Sequence, residues 1–170
     1  MDKRIELKDL TPDLCDHYEE DVRWLPLSLH SFGGRDVFFG ETVTLRCFED
    51  NSLVRDIVSR PGKGKVLFID GHGSSTKALL GDQLALLAQK NGWEGIVVHG
   101  VVRDVGTLAT LDLGVQAMGT SPIKTVKRQT GEENVTLTVV ETLIYPGDML
   151  YADRNGVIFS QKPLDLSVLS

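Results

Sequence analysis

Val66-Leu67-Phe68-Ile69 is an unbroken apolar run. A strand with one wet face alternates polar and apolar residues, whereas an unbroken run belongs to a strand covered on both faces. The run ends in the glycine-rich Asp70-Gly71-His72-Gly73-Ser74-Ser75. A helical pattern follows over Asp82–Lys90, with Leu84, Leu87 and Ala88 inward and Asn91-Gly92 as its stop. A second strand-like run, Ile96–His99, comes next, and Arg103-Asp104 lies just beyond it. Strand, helix and strand in this order point to an α/β fold.

The flanking segments add β-structure. Thr11-Pro12-Asp13 reads as a helix start, with the Thr11 hydroxyl as cap and Leu14, Tyr18 and Val22 at helical spacing. Residues 1–10 are charged and read as an arm, leaving 11–170 as one domain. Thr42–Phe48 alternates, with Val43, Leu45 and Cys47 on one side, so Cys47 reads as a core thiol. Asn51 can cap a short helix over Ser52–Ser59, which Pro61-Gly62-Lys63-Gly64 stops. A short helix over Val105–Leu111 and a strand over Val115–Met118 follow, then a polar loop from Ser121 to Glu133. Val135–Val140 alternates as a strand. Met149–Ala152 and Val157–Phe159 read as strands joined by the hairpin turn Asp153-Arg154-Asn155-Gly156, ahead of a polar tail.

Several functional classes are disfavoured. The net charge of -6 argues against a nucleic-acid partner, since phosphate binding needs clustered Lys and Arg. Cys15 and Cys47 form no CxxC and no zinc pattern, and two lone thiols suit a reducing cytoplasm. No apolar run is long enough to span a bilayer, and the first residues carry no secretory signal. The glycine loop has neither a Walker lysine nor a full GxGxxG. No Ser or Cys sits in a nucleophile elbow. His72 in the glycine loop can ligate or exchange protons, whereas His99 at the end of a buried strand reads as packed.

Two dipeptides remain. Arg103-Asp104 offers a planar fork for a carboxylate or enolate oxygen beside a hard ligand for Mg²⁺ or Mn²⁺; it can equally be a surface ion pair. Gly81-Asp82 can bind an anion through free N–H groups at a helix start, or Asp82 can simply cap its own helix. Taken singly, each pair fits the structural role.

Their spacing resembles a known pattern. Gly81-Asp82-Gln83-Leu84-Ala85 and Arg103-Asp104 are similar to the signature of the RraA-like superfamily. Leu14-Cys15-Asp16, Phe32-Gly33-Gly34, Cys47-Phe48-Glu49-Asp50-Asn51, Trp93-Glu94-Gly95 and Leu150-Tyr151-Ala152-Asp153 extend the resemblance over nearly the whole chain. One branch holds class II 4-hydroxy-4-methyl-2-oxoglutarate aldolases, which also decarboxylate oxaloacetate. The other holds regulators of ribonuclease E, which keep the Arg but lack the Gly-Asp and the metal-binding Asp. The resemblance implies a swivelling β/β/α fold with mixed sheets, a homotrimer and a cytoplasmic lyase for small 2-keto acids. It implies that Asp104 binds Mg²⁺ or Mn²⁺, that Arg103 holds substrate, that the Gly81, Asp82, Gln83 and Leu84 backbone binds the substrate carboxylate, and that Asp82 is the candidate base. The alternative it implies is a non-catalytic regulator docking on ribonuclease E or an associated helicase. The aldolase pattern places an acid three positions after the metal Asp, where this chain has Thr107.

Overall fold

The computed structural model describes residues 8–169. Most of the arm expected over residues 1–10 lies outside the described residues. The elements in chain order are α1 (Thr11–His17), β1 (Val22–Trp24), β2 (His30–Ser31), β3 (Phe38–Arg46), α2 (Ser52–Val58), β4 (Lys65–Asp70), β5 (Ala78–Leu80) and α3 (Asp82–Lys90). They continue with β6 (Gly95–Val102), α4 (Val105–Leu108), β7 (Gly114–Thr120), β8 (Glu132–Glu133), β9 (Leu137–Val139), β10 (Thr142–Ile144), β11 (Met149–Asp153) and β12 (Gly156–Ser160). The fold is α/β, with a large mixed sheet.

The sheet has ten strands, ordered β1-β12-β11-β3-β4-β6-β7-β2, with β5 paired to β6 and β8 to β3. Its centre, β3-β4-β6-β7, is parallel. Antiparallel strands extend both sides. The apolar run predicted to be covered on both faces is so covered. Leu67 and Ile69 pack under the helices with Val54, Ile57, Leu84, Ala88 and Leu108. Val66 and Phe68 face the opposite way, into a layer with Leu137, Val139, Ile144, Leu150 and Phe159. Helices, parallel sheet and antiparallel hairpins thus stack as three layers, matching the expected β/β/α arrangement. Two paired glycines permit this packing. A Cβ on Gly95 or Gly114 would lie 2.3 or 2.1 Å from the buried Phe38 ring, which fills the space over both strands.

The structure corrects several local readings. Thr11 is the first residue of α1 and makes no side-chain cap. The Asp153 carboxylate reaches across instead, accepting from the Leu10 and Thr11 N–H groups and the Thr11 hydroxyl. Val22 belongs to β1, because α1 ends five residues earlier, at His17. Asn51 sits at the start of α2 but its side chain does not cap it; Asp50 takes the Ser52 N–H. The Thr42–Phe48 strand begins earlier, at Phe38, and pairs on both sides, so Thr44 is as buried as Leu45. The short helix expected over Val105–Leu111 ends at Leu108. β5 has no counterpart in the sequence reading. Val135–Val140 becomes half of a separate β9–β10 hairpin. The tail is less polar in practice than in sequence: Leu164, Leu166 and Leu169 pack against Leu14, Tyr151 and Ile158.

Candidate functional site

β5 and β6 run side by side and end together, with Ala78 opposite Val101 and Leu80 opposite Val102. The Arg103 N–H donates to the Leu80 carbonyl, so the two dipeptides leave the sheet at one edge. Gly81 leads into α3 and Asp104 leads into α4. Such carboxyl ends of parallel strands are where open α/β sheets hold their ligands.

Asp104 is in the left-handed region, φ 60° and ψ 37°. Asp tolerates this conformation better than most residues, and backbone strain of this kind gathers at functional sites. Its Oδ2 accepts the Asp82 N–H at 2.9 Å. Gly81 is what lets the two approach. A Cβ there would sit 2.6 Å from Asp104 Oδ2 and 3.4 Å from the Arg103 side chain. The Gly81 backbone itself is extended, so the requirement is for space, not for an unusual φ. The N–H groups of Gln83 and Leu84, next in the first turn of α3, have no partner inside the helix. The Leu84 side chain is buried in the core under the helices.

The Arg103 and Asp104 side chains are about four-tenths exposed, and Arg103 Nε lies 3.9 Å from Asp104 Oδ2. A contact that long and that wet contributes little stability. Arg103 Nη1 also reaches the Pro122 carbonyl, at 3.5 Å. Its fork therefore has no short ion pair within the described residues, only this long, solvent-exposed one with Asp104.

No group of three or more His, Cys, Asp and Glu among the described residues is placed to hold a metal. The available donor set is one carboxylate, Asp104. The described residues thus form no closed zinc or calcium cage. A single carboxylate fits Mg²⁺ or Mn²⁺, which keep waters and bind through one or two carboxylates plus substrate oxygens. Thr107, in the first turn of α4, is exposed and donates its N–H to the Asp104 carbonyl.

The glycine loop is not an anion cradle. The Gly71 and Gly73 N–H groups donate to the His99 carbonyl, the Ser74 N–H to the Gly71 carbonyl, and the His72 N–H to Asp70. His99 is packed, as expected, with Nδ1 3.0 Å from Asp70 Oδ1. Burial pushes the Asp70 carboxyl up, but the His99 and His72 hydrogen bonds outweigh it and leave the group below its ordinary range. His72 is exposed, with its ring edge-on to Phe48 at 5.9 Å. Cys47 is buried, and desolvation, helped by Asp50 and Asp70, pushes its thiol up to about 12. It has no nucleophilic role near neutral pH. A polar cleft of about 300 Å³ lies between β2, β7 and the β11–β12 turn, lined by His30, Asp36, Gln116 and Arg154 among others. None of the Gly81–Asp104 residues borders it.

Residues 11–159 match the family model RraA-like, described as Aldolase/RraA. The chain belongs to the RraA-like family. A Photobacterium profundum protein that carries 4-hydroxy-4-methyl-2-oxoglutarate aldolase as a provisional name is 73% identical, covering 96% of this chain and 100% of its own. A Vibrio cholerae protein with the same provisional name is 56% identical over 95% of this chain and 100% of its own. Among solved structures, the RNA-processing inhibitor RraA from Thermus thermophilus superposes with a TM-score of 0.90 at 43% identity, covering 96% of this chain and 99% of that one. A Geobacillus kaustophilus chain described as an S-adenosylmethionine:2-dimethylmenaquinone methyltransferase gives 0.88 at 38% identity, over 94% and 98%. These RraA-like relatives share a fold and carry three different activities by name. The choice among activities therefore rests on the site.

Sequence reading missed β5, and it placed Asn51 as a helix cap and Pro122 in a loop without joining either to this edge. The one available signal for β5 was the apolar Ala78-Leu79-Leu80, too short to separate from the lead into a helix.

Proposed function

We propose that this chain is a divalent-metal-dependent lyase for 2-keto acids. It cleaves 4-hydroxy-4-methyl-2-oxoglutarate to two pyruvates and decarboxylates oxaloacetate as a side activity. The observation that carries the reading is the convergence of Gly81-Asp82 and Arg103-Asp104 at one sheet edge, locked by the Asp82 N–H to Asp104 bond. The regulator branch, as the resemblance describes it, lacks both acids. The provisional aldolase name of the 73% identical relative agrees with this reading.

Asp104 would hold Mg²⁺ or Mn²⁺, which when bound acts as a Lewis acid towards a 2-keto acid. The Gln83 and Leu84 N–H groups and the positive end of α3 favour the substrate carboxylate. Arg103 presents its fork to the keto oxygen, where negative charge grows as the C–C bond breaks; preorganised donors lower a barrier most at such a position. Aldol cleavage also needs the 4-hydroxyl proton removed, and Asp82, at the start of α3, is the base for it. Decarboxylation has no such proton, so Asp82 matters less to it.

The test is pyruvate release from either substrate with Mg²⁺. The lyase reading requires a rate that EDTA abolishes and Arg103→Ala removes; a rate no higher than Mg²⁺ gives without protein contradicts it. The 43% identity to an RNA-processing inhibitor favours a second reading, in which the surface binds ribonuclease E without chemistry. That binding would survive loss of Asp104. The homotrimer implied by the family resemblance belongs with either reading and is checked by light scattering. No helix among the described residues is long and apolar enough to cross a membrane.

A further inference from the structure

Asn51 stands at the cap position of α2, yet its side chain does not cap that helix. Asx side chains at this position ordinarily accept a first-turn N–H. Here the amide is turned towards the candidate site. Its Nδ2 donates to the Leu79 carbonyl at 3.2 Å, in the middle of β5. Its Oδ1 accepts from Thr125 Oγ1 at 2.8 Å and from Lys127 Nζ at 3.3 Å. One side chain thus ties β5 to the segment that follows β7.

Both tied parts border the site. β5 is three residues long, and Gly81 follows it directly. The later segment passes Arg103 at Pro122, bonds Ala78 N–H through the Ile123 carbonyl, and is pinned further on by Asp50, which accepts from the Arg128 and Thr130 N–H groups. A three-residue strand is held by few ladder bonds, and the Asn51 bond to its central carbonyl adds to them and to the burial of Leu79 and Leu80.

We infer that Asn51 is a positioning residue for the keto-acid site: it clamps β5 so that Gly81 and the Asp82 N–H meet Asp104, and fixes the strap beside Arg103. The inference rests on the proposed function for its catalytic consequence, but not for its structural one. Asn51→Asp separates the two halves of the clamp. It keeps an acceptor for Thr125 and Lys127 and loses the donor to Leu79. Thr125→Val does the reverse, removing a strap bond while the Leu79 bond stays.

The experiment is amide hydrogen exchange over residues 79–84 with kcat and KM for pyruvate release, on the full chain with Mg²⁺, after circular dichroism has shown each variant folded. The clamp predicts that Asn51→Asp speeds exchange at 79–84 about tenfold while β4 keeps its protection, and lowers kcat/KM by about tenfold or more. Thr125→Val should leave exchange at 79–84 near wild type. Unchanged exchange at 79–84 in Asn51→Asp overturns the inference, and so does faster exchange with unchanged kcat/KM, which marks Asn51 as merely structural. A wild type without turnover contradicts the keto-acid reading instead, and the exchange result then decides the clamp by itself.

Discussion

Asp104 carries the most specific demands of any residue at the site, because one side chain must adopt a left-handed backbone, accept the Asp82 N–H and remain half-open to solvent. Asn can meet all three demands, since it tolerates the same conformation and offers an amide oxygen, but it brings no charge for a metal ion. Gly81 serves the same contact by being small. Gly81→Ala should push the Asp104 carboxylate off the Asp82 N–H, lowering kcat/KM about 10²-fold while the melting temperature moves by only a few degrees, measured by steady-state kinetics beside thermal unfolding. On the proposed mechanism, Asp82 would separate the two reactions. Asp82→Asn should slow aldol cleavage by about 10²-fold or more, the usual worth of a general base, and oxaloacetate decarboxylation by less than about tenfold. Equal losses on the two substrates would remove Asp82 from the role of base.

Among the elements, the β9–β10 hairpin shows a conflict between sequence and geometry. Its two-residue turn, Val140-Glu141, holds both residues at positive φ, 46° and 66°. Two-residue hairpin turns of this kind favour Asn-Gly, and a β-branched residue at positive φ is strained. Val140→Asn with Glu141→Gly should raise stability by about 1–2 kcal/mol, read as a higher urea midpoint at unchanged slope. The hairpin also shows where sequence stopped being informative. Alternation found a strand over Val135–Val140, but nothing in Val-Glu announces a turn, so β10 went unseen. Patterns set by burial were legible: Val66–Ile69 and α3 appear where periodicity placed them, and Ile96–His99 lies within β6, which runs on to Val102. Patterns set by distant partners were not. The cap of α1 comes from Asp153, and the amide of Asn51 is drawn from its own helix to Leu79, 28 residues away. At the site, Asp82 and Arg103-Asp104 were readable as residue types, and their spacing pointed to one family. Their contact through an N–H, and the need for Gly81 to make room, exist only once β5 lies beside β6.

At the scale of the whole molecule, buried carboxylates tie together segments that are distant in sequence. Asp50 accepts from Ser52, Arg128 and Thr130. Burial alone would raise its carboxyl, but the Ser52 and Thr130 hydrogen bonds hold it well below the usual range. Asp70 is lowered in the same way. A folded-state pKa below the unfolded value adds stability above the unfolded value, about 4 for Asp, and that stability is lost as pH falls through the folded value. The protein should therefore lose stability steadily below about pH 4, and Asp50→Asn should flatten that slope while costing about 2–3 kcal/mol at neutral pH, measured by denaturant titrations across the range. The central claim concerns one edge of this assembly, and Asp104→Asn tests it most directly. Mn²⁺ binding and pyruvate release should be measured on the wild type and on Asp104→Asn, with circular dichroism confirming the fold of both. The account predicts an unchanged spectrum, loss of Mn²⁺ binding and a fall in kcat/KM of about 10³-fold. A variant that binds Mn²⁺ and releases pyruvate as the wild type does would contradict it.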